Sequence, residues 1–306
     1  MIRSSIDIGS NSVLLLIGEI DQDKKFQELS SLSEVTGLGR EIDKNKKFIE
    51  VAMEETLAAL HRYKNEVEKF QLRPEDTIVT ATEAARNALN ADTFFEKVEK
   101  ETGFKIQIIS AKGEAYFASQ GIRIGLKNSS YQKLMALDVG GASTELIIFE
   151  ANPFEFEKFV SLPVGVVRGL AWSSENQFEQ KVMDLFSKNK EILFNFKNSS
   201  LIGIAGTMTS LAGMFLKLKV YTDKNVHGQV LLKSDLDDLI EKYGHFSPDN
   251  LLEIFPFLGK RSKTVLIGAR LVKMLCEYLD INTIIVSTFG LRHGTLYAGE
   301  IKDEFK

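Results

Sequence analysis

The chain writes one short phrase twice, and the second copy follows the first at a fixed interval of 131 residues. Asp7-Ile8-Gly9-Ser10-Asn11-Ser12 returns as Asp138-Val139-Gly140-Gly141-Ala142-Ser143. Adding 131 also carries Leu15 onto Leu146, Leu16 onto Ile147, Ile17 onto Ile148 and Glu19 onto Glu150, so the repeat includes the apolar run after each turn. An apolar run ending in Asp, a turn of small residues and a second apolar run spell a β-hairpin whose backbone N–H groups can hold a phosphate. One such turn is ordinarily a tight hairpin and nothing more. Two in register describe a chain of two similar halves, each opening on a phosphate-holding loop, with an Asp beside each loop as a hard ligand for the metal that phosphates require.

The rest of the chain alternates strands and helices twice. Ser4–Asp7, Val13–Ile20 and Phe26–Val35 read as strands, the last two joined by the polar turn Asp21–Lys25. Met53, Leu57, Leu60, Tyr63, Val67 and Phe70 recur at three- and four-residue steps and predict one apolar helix face. A strand at Thr77–Thr80, a helix at Asp92–Thr102, a strand at Lys105–Ile109 and a helix at Lys112–Gly125 complete the first half. The second half restarts with strands Leu134–Asp138, Thr144–Glu150 and Glu155–Val160. Strand Leu201–Ala205 then leads through Gly206 into a helix over Met208–Leu218, whose N-terminus is a further anion site. Helices follow at Asp235–Tyr243, Pro248–Phe255 and Lys263–Leu279, then a strand at Thr283–Val286 and a last helix over Leu291–Glu304. The pattern gives an α/β chain with domains at 1–125 and 126–290 and a ligand cleft between them, because both loops come from the first hairpin of their half.

Composition excludes several classes. With 306 residues, 44% of them hydrophobic, the chain can bury two cores. The single Cys276 rules out an internal disulfide, and its place beside Val272, Leu275 and Leu279 at helical spacing reads as a buried structural thiol. No segment reaches the length needed to span a bilayer, and no apolar signal region precedes the first motif, so the expected location is the cytoplasm, with no membrane partner. The net charge of −4 has the wrong sign for a nucleic-acid coat, and a polyanion would need a local basic patch. Candidates are Lys217, Lys219, Lys224, Lys260, Arg261, Lys263 and Arg270. There is no Walker sequence, since Gly259-Lys260 is followed by Arg261, no GxSxG nucleophile turn, and no zinc spacing among His61, His227, His245 and His293.

The two loop motifs resemble the phosphate-binding hairpins of the acetate kinase, sugar kinase and actin superfamily, and within it the exopolyphosphatase and guanosine pentaphosphatase (Ppx/GppA) family. Further matches follow in order: Arg86-Asn87-Ala88-Leu89-Asn90, Ile108-Ile109-Ser110 before Glu114-Ala115, Gly203-Ile204-Ala205-Gly206-Thr207, Val226-His227-Gly228, Arg261 ahead of Gly268, and Gly290-Leu291-Arg292. The resemblance implies two actin-like (ribonuclease H-like) domains with mixed β-sheets flanked by helices. It implies the short, two-domain type, with the helix at about 291–306 packing back on the first domain.

For activity, the resemblance implies Mg²⁺-dependent (or Mn²⁺-dependent) hydrolysis of terminal phosphoanhydride bonds in inorganic polyphosphate or guanosine penta/tetraphosphate. Glu114 takes the position of the general base. Ser10, Asn11, Ser12, Arg86, Gly140, Gly141, Ala142, Ser143, Gly206, Thr207 and Arg261 take those of phosphate ligands, and Asp7, Asp138 and Glu145 those near the metal. A homodimer is compatible with it. The chain departs from the family pattern at Gly113, where the family has the first glutamate of a pair, at Ala142 in the second loop, and at Lys260, Lys263 and His293, where acids are commoner. Ala142 offers the same N–H only if its φ is negative. Two other classes stay open: a small-molecule kinase of the same superfamily, and a non-catalytic regulator that binds guanosine tetraphosphate or polyphosphate.

Overall fold

Each copy of the repeated phrase closes a hairpin. In the computed structural model, which describes residues 1–23, 25–126, 133–197 and 201–306, strand β1 (Ile2–Ile8) pairs antiparallel with β2 (Ser12–Ile20) from Ile2↔Glu19 to Ile8↔Val13. Strand β2 pairs with β3 (Phe26–Val35). Lys24, within the predicted Asp21–Lys25 turn, and 127–132, next to the predicted domain boundary, lie outside the described residues. A short helix α1 (Ile42–Asn45) and the long α2 (Glu50–Lys69) follow. Next come β4 (Ile78–Ala81), α3 (Glu83–Asn87), α4 (Ala91–Thr102), β5 (Ile106–Ile108) and α5 (Ala111–Gly125). The sheet order is β3-β2-β1-β4-β5, with β1, β4 and β5 mutually parallel.

The second hairpin repeats the first. Strand β6 (Lys133–Val139) pairs with β7 (Thr144–Ala151) from Lys133↔Glu150 to Val139↔Thr144, and β7 with β8 (Phe154–Leu162). Even the pairing irregularity is conserved at the same interval: it falls between Ile17 and Gly18 in one sheet and between Ile148 and Phe149 in the other. Helices α6 (Val166–Ser174), α7 (Phe178–Lys188) and α8 (Lys190–Leu193) lead to β9 (Leu201–Ile204) and α9 (Ala205–Phe215). After α10 (Asp223–Val226) come β10 (Val230–Leu232), α11 (Lys233–Tyr243), α12 (Pro248–Ile254), a 3₁₀ segment at Pro256–Lys263, α13 (Val265–Leu279) and β11 (Thr283–Val286). The order β10-β11-β9-β6-β7-β8 contains the first sheet's topology plus one edge strand.

Chain contacts divide the described protein into two compact units, Met1–Lys127 with Phe289–Lys306, and Asn128–Thr288. The last helix, α14 (Leu291–Ala298), thus belongs to the first unit and packs on α5 and β1. Arg292 secures it there, donating to Leu15 O and Ser31 Oγ at 2.9 Å, while Ser5 Oγ donates to Arg292 O at 2.7 Å. Each unit has its own core. In the second, Phe178, Phe186, Phe196 and Phe255 are fully enclosed, each contributing about 1.5–3 kcal/mol by the apolar area removed from water. In the first, Tyr63 is buried and donates its hydroxyl to Val13 O at 2.8 Å.

Three sequence expectations need correction. Helix α2 buries Ala52, Thr56, Ala59, Leu60, Tyr63 and Val67, so its stripe is rotated toward small residues, while Met53 and Leu57 pack at the margin. The last helix stops at Ala298, well short of Glu304, because Gly299 takes φ 82° as a left-handed cap and a separate 3₁₀ turn, Asp303–Phe305, follows. Helix α9 begins at Ala205 instead of Met208, placing Gly206 and Thr207 inside its first turn. Helices α6 and α7 have no counterpart among the sequence expectations. Among the described residues no helix is long and apolar enough to cross a membrane.

Candidate functional site

A trans peptide points its carbonyl and the following N–H in opposite directions, so the partners of a loop's carbonyls reveal where its amides aim. In the first loop, Ser10 O accepts from Gly39 N at 2.8 Å, and Asn11 O accepts from Thr36 N and Gly37 N at 3.1 and 3.0 Å. The Asn11 and Ser12 amides therefore point away from the 36–39 segment. In the second loop, Gly140 O accepts from Val166 N at 2.9 Å, Gly141 O from Val167 N at 2.8 Å, and Ala142 O from the Arg168 guanidinium. The amides of Gly141, Ala142 and Ser143 therefore all face away from α6. Consecutive N–H groups turned one way form a concavity suited to an anion.

The loops are closed identically, by Gly9 N to Ser12 O and Gly140 N to Ser143 O, both at 3.0 Å. Ala142 is not among the positive-φ residues, so its methyl is tolerated and its amide is offered as the sequence requires. Gly165, at the head of α6, was not singled out by sequence. A Cβ there would lie 2.5 Å from both Gly140 O and Gly141 C, so only glycine lets the helix reach the loop carbonyls. The readable signal was a lone glycine just after a strand, in Leu162-Pro163-Val164-Gly165-Val166.

Helix α9 presents its N-terminus within the same unit. Ala205, its first residue, has φ 62° in the left-handed region, a strained state for a residue with a Cβ. Thr207 commits its hydroxyl to Val139 O at 2.7 Å, tying α9 to the strand that enters the second loop and leaving its backbone amide as its contribution. The Arg261 guanidinium lies over Gly206: a Cβ on Gly206 would be 3.0 Å from Arg261 Nε. This brings Arg261 to the first turn of α9. Arg270 does not extend a basic track there, since it pairs with Glu179, reaches Ser173 Oγ at 3.2 Å and lies over the Phe178 ring. Replacing Ala205 by Gly should raise stability, because relief of about 1–2 kcal/mol of left-handed strain exceeds the extra unfolded-state entropy of about 0.4–1 kcal/mol. A lower denaturation midpoint in that variant would show that the turn is unstrained.

For the metal, Asp138 stands directly opposite Glu145 in the β6–β7 register, one pair from the loop. Glu145 is 2% exposed and accepts from Ser161 Oγ at 2.7 Å. The equivalent of Glu145 in the first hairpin is Leu14, opposite Asp7, so that hairpin presents one carboxylate where the other presents two. Among the described residues no three His, Cys, Asp or Glu side chains group as a metal cage. Two hard carboxylates beside the second loop are donors of the type Mg²⁺ takes, and they would hold such an ion with its other positions left to water or an anion.

The first unit also places Glu114 in the first turn of α5, capped by Ser110, whose Oγ accepts from Gly113 N at 3.1 Å. Arg86, on α3, donates from Nη1 and Nη2 to Glu114 Oε2 at 3.2 Å and from Nη1 to Ile109 O at 2.6 Å. The structure thus brings Arg86 to the carboxylate, with side chains 23% and 13% exposed. Burial raises the Glu114 carboxyl above its ordinary value of 4.5, Arg86 opposes that shift, and Glu83 reinforces it. A carboxylate tuned upward in this way suits proton abstraction.

Two repeated α/β units, each with a small-residue loop on its first hairpin, define a duplicated fold of the actin-like class. A profile of the Ppx/GppA phosphatase family matches residues 16–302, and the chain belongs to that family. It is 32% identical to the bifunctional 3-dehydroquinate synthase/phosphatase of Fusobacterium nucleatum, over 97% of this chain and 46% of that protein. It is 26% identical to the guanosine-5'-triphosphate,3'-diphosphate pyrophosphatase of Vibrio campbellii, over 99% of this chain and 60% of that one. The chain therefore spans about half the length of these curated relatives. The Ppx/GppA family member from Aquifex aeolicus superposes with a TM-score of 0.75 at 28% identity, covering 97% of both chains. An exopolyphosphatase from Cytophaga hutchinsonii shares the fold with a TM-score of 0.86 at 22% identity, again over 97% of both.

Proposed function

We propose that this chain hydrolyses terminal phosphoanhydride bonds of inorganic polyphosphate or guanosine pentaphosphate. The carrying observation is the pair of loops, 131 residues apart, whose carbonyls at Ser10, Asn11, Gly140 and Gly141 are held by backbone amides and at Ala142 by the Arg168 guanidinium, so that the following amides face away from those supports. Phosphoryl transfer to water depends mainly on positioning and on neutralising charge at the phosphoryl oxygens. The amides of Asn11, Ser12, Gly141, Ala142 and Ser143 supply fixed donors, and the first turn of α9 with Arg261 supplies more. Glu114 accepts the proton of the attacking water, with Arg86 holding its carboxylate in place. Mg²⁺, held by Asp138 and Glu145 with Asp7 as the first-half counterpart, would offset negative charge on the phosphates.

The relatives support this reading, the Vibrio campbellii protein being a guanosine-5'-triphosphate,3'-diphosphate pyrophosphatase and the Cytophaga hutchinsonii protein an exopolyphosphatase. The test is phosphate release from inorganic polyphosphate and from guanosine pentaphosphate, with Mg²⁺ and with EDTA. Release from at least one substrate that EDTA abolishes is expected, and no release from either would sink the reading. A non-catalytic regulator is the second reading, favoured by Gly113 where the family resemblance implies an acid, and it would bind these ligands without releasing phosphate. Asp138→Asn removes one charge beside the second loop without altering its turn. The Mg²⁺ concentration for half-maximal activity should rise several-fold, and an unchanged Mg²⁺ titration would remove Asp138 from the metal.

A further inference from the structure

Gly113 stands immediately before Glu114, and the structure supplies a physical reason for a residue without a side chain there. A Cβ on Gly113 would lie 2.5 Å from the carbonyl oxygen of Phe305 and 3.0 Å from its Cβ. The space is filled by the chain's own 3₁₀ turn, Asp303–Phe305. Phe305 O accepts from the Ser110 amide at 2.8 Å and from Ser110 Oγ at 3.1 Å, so it binds the residue that caps α5. The Phe305 ring stacks on Tyr116, with centroids 4.3 Å apart and planes at 23°, and meets Phe117 edge-on at 5.1 Å. It is 6% exposed and joins a small core with Ile78, Ile109, Leu291 and Ile301.

Residues 110, 113, 116 and 117 are thus all engaged by one residue, and Glu114 lies among them on the same two helical turns. Arg86 holds the carboxylate from α3, whereas Phe305 holds the backbone that carries it. We propose that Phe305 is a positioning residue for Glu114, the turn Asp303–Phe305 clamping the first turns of α5 in the space that a side chain on Gly113 would take. This rests on the reading of Glu114 as the base. The two assignments predict different consequences: Glu114 acts on the proton, and Phe305 acts only through the helix.

The experiment compares wild type with Phe305→Ala, Phe305→Leu, Gly113→Ala and Glu114→Gln, using inorganic polyphosphate and Mg²⁺ for turnover and hydrogen exchange at the Ser110 amide as a readout independent of turnover. A displacement of the base by about 1 Å can cost up to about 10²-fold. Phe305→Ala is therefore expected to lower kcat by about 10- to 100-fold with KM within about 2-fold, and to speed Ser110 exchange by about 10-fold or more. Phe305→Leu, which refills the apolar space and keeps the backbone carbonyl, should restore most of both. Gly113→Ala should reproduce the loss with the Phe305 ring intact, and it serves if Phe305→Ala does not fold. Unchanged kcat and exchange in both variants, or a parallel rise in KM, would overturn the clamp while an inactive Glu114→Gln left the base in place. Full turnover in Glu114→Gln would overturn both.

Discussion

Glu114→Gln is expected to reduce turnover by roughly 10²- to 10⁴-fold while leaving substrate binding within a few-fold, because the amide keeps the shape and hydrogen bonding of the carboxylate but cannot take a proton. The same group should set the acid limb of the pH profile. Burial favours its neutral form, so activity is expected to fall on acidification at a pH above the ordinary carboxylate value of 4.5. The Arg86 guanidinium works against burial, and Arg86→Met should move that limb to higher pH by removing the opposing charge. The check is the pH dependence of kcat in wild type and both variants. A limb that stays put in Arg86→Met, or normal turnover in Glu114→Gln, would take Glu114 out of the reaction.

Gly165→Ala is expected to be nearly as damaging, although residue 165 offers no functional group. Its new Cβ would meet Gly140 O and Gly141 C at 2.5 Å and Gly141 O at 2.6 Å, all of them backbone atoms of the second loop. Backbone cannot swing aside as a flexible side chain can. The head of α6 must retreat, and the bonds from Val166 N and Val167 N that fix the loop carbonyls are lost with it. Overpacking of this kind costs about 1–3 kcal/mol of stability. Losing one oriented donor costs about 10²–10³ in kcat in comparable anion holes, and three amides depend on this support. Activity should therefore fall by about 10²-fold or more at a temperature where circular dichroism still reports a folded chain. Near-wild-type activity would mean that α6 does not orient the loop.

Much of this site was legible because its essential features are local. The hairpin strands, the Asp at each loop entrance and the glycines all follow from continuous apolar runs broken by small residues. The place of Glu114 in the first turn of a helix was legible too, and Ser110 caps that helix, whereas its role as a base was implied only by the family resemblance. Helix ends were less legible. Ala205 starts α9 in a left-handed conformation that no propensity favours, two residues before Thr207 ties the helix to Val139 O. The stripe on α2 was displaced because Ala52 and Ala59, weak signals in a hydrophobic pattern, are small enough for closest approach to the sheet.

By itself the sequence determined the duplicated plan, the composition of the two loops and the chemical character of the groups beside them, because each depends on residues within a few positions of one another. Only the tertiary structure decided what those groups face. The Thr36–Gly39 segment and the head of α6 turn the loop carbonyls inward, Arg86 is directed to Glu114, and Phe305 occupies the space over Gly113. These contacts join residues separated by between 25 positions, for Asn11 and Thr36, and 192, for Gly113 and Phe305. Nothing in a local pattern encodes such a pairing, since it is set by which surfaces the two sheets and their helices leave to be covered when each core closes.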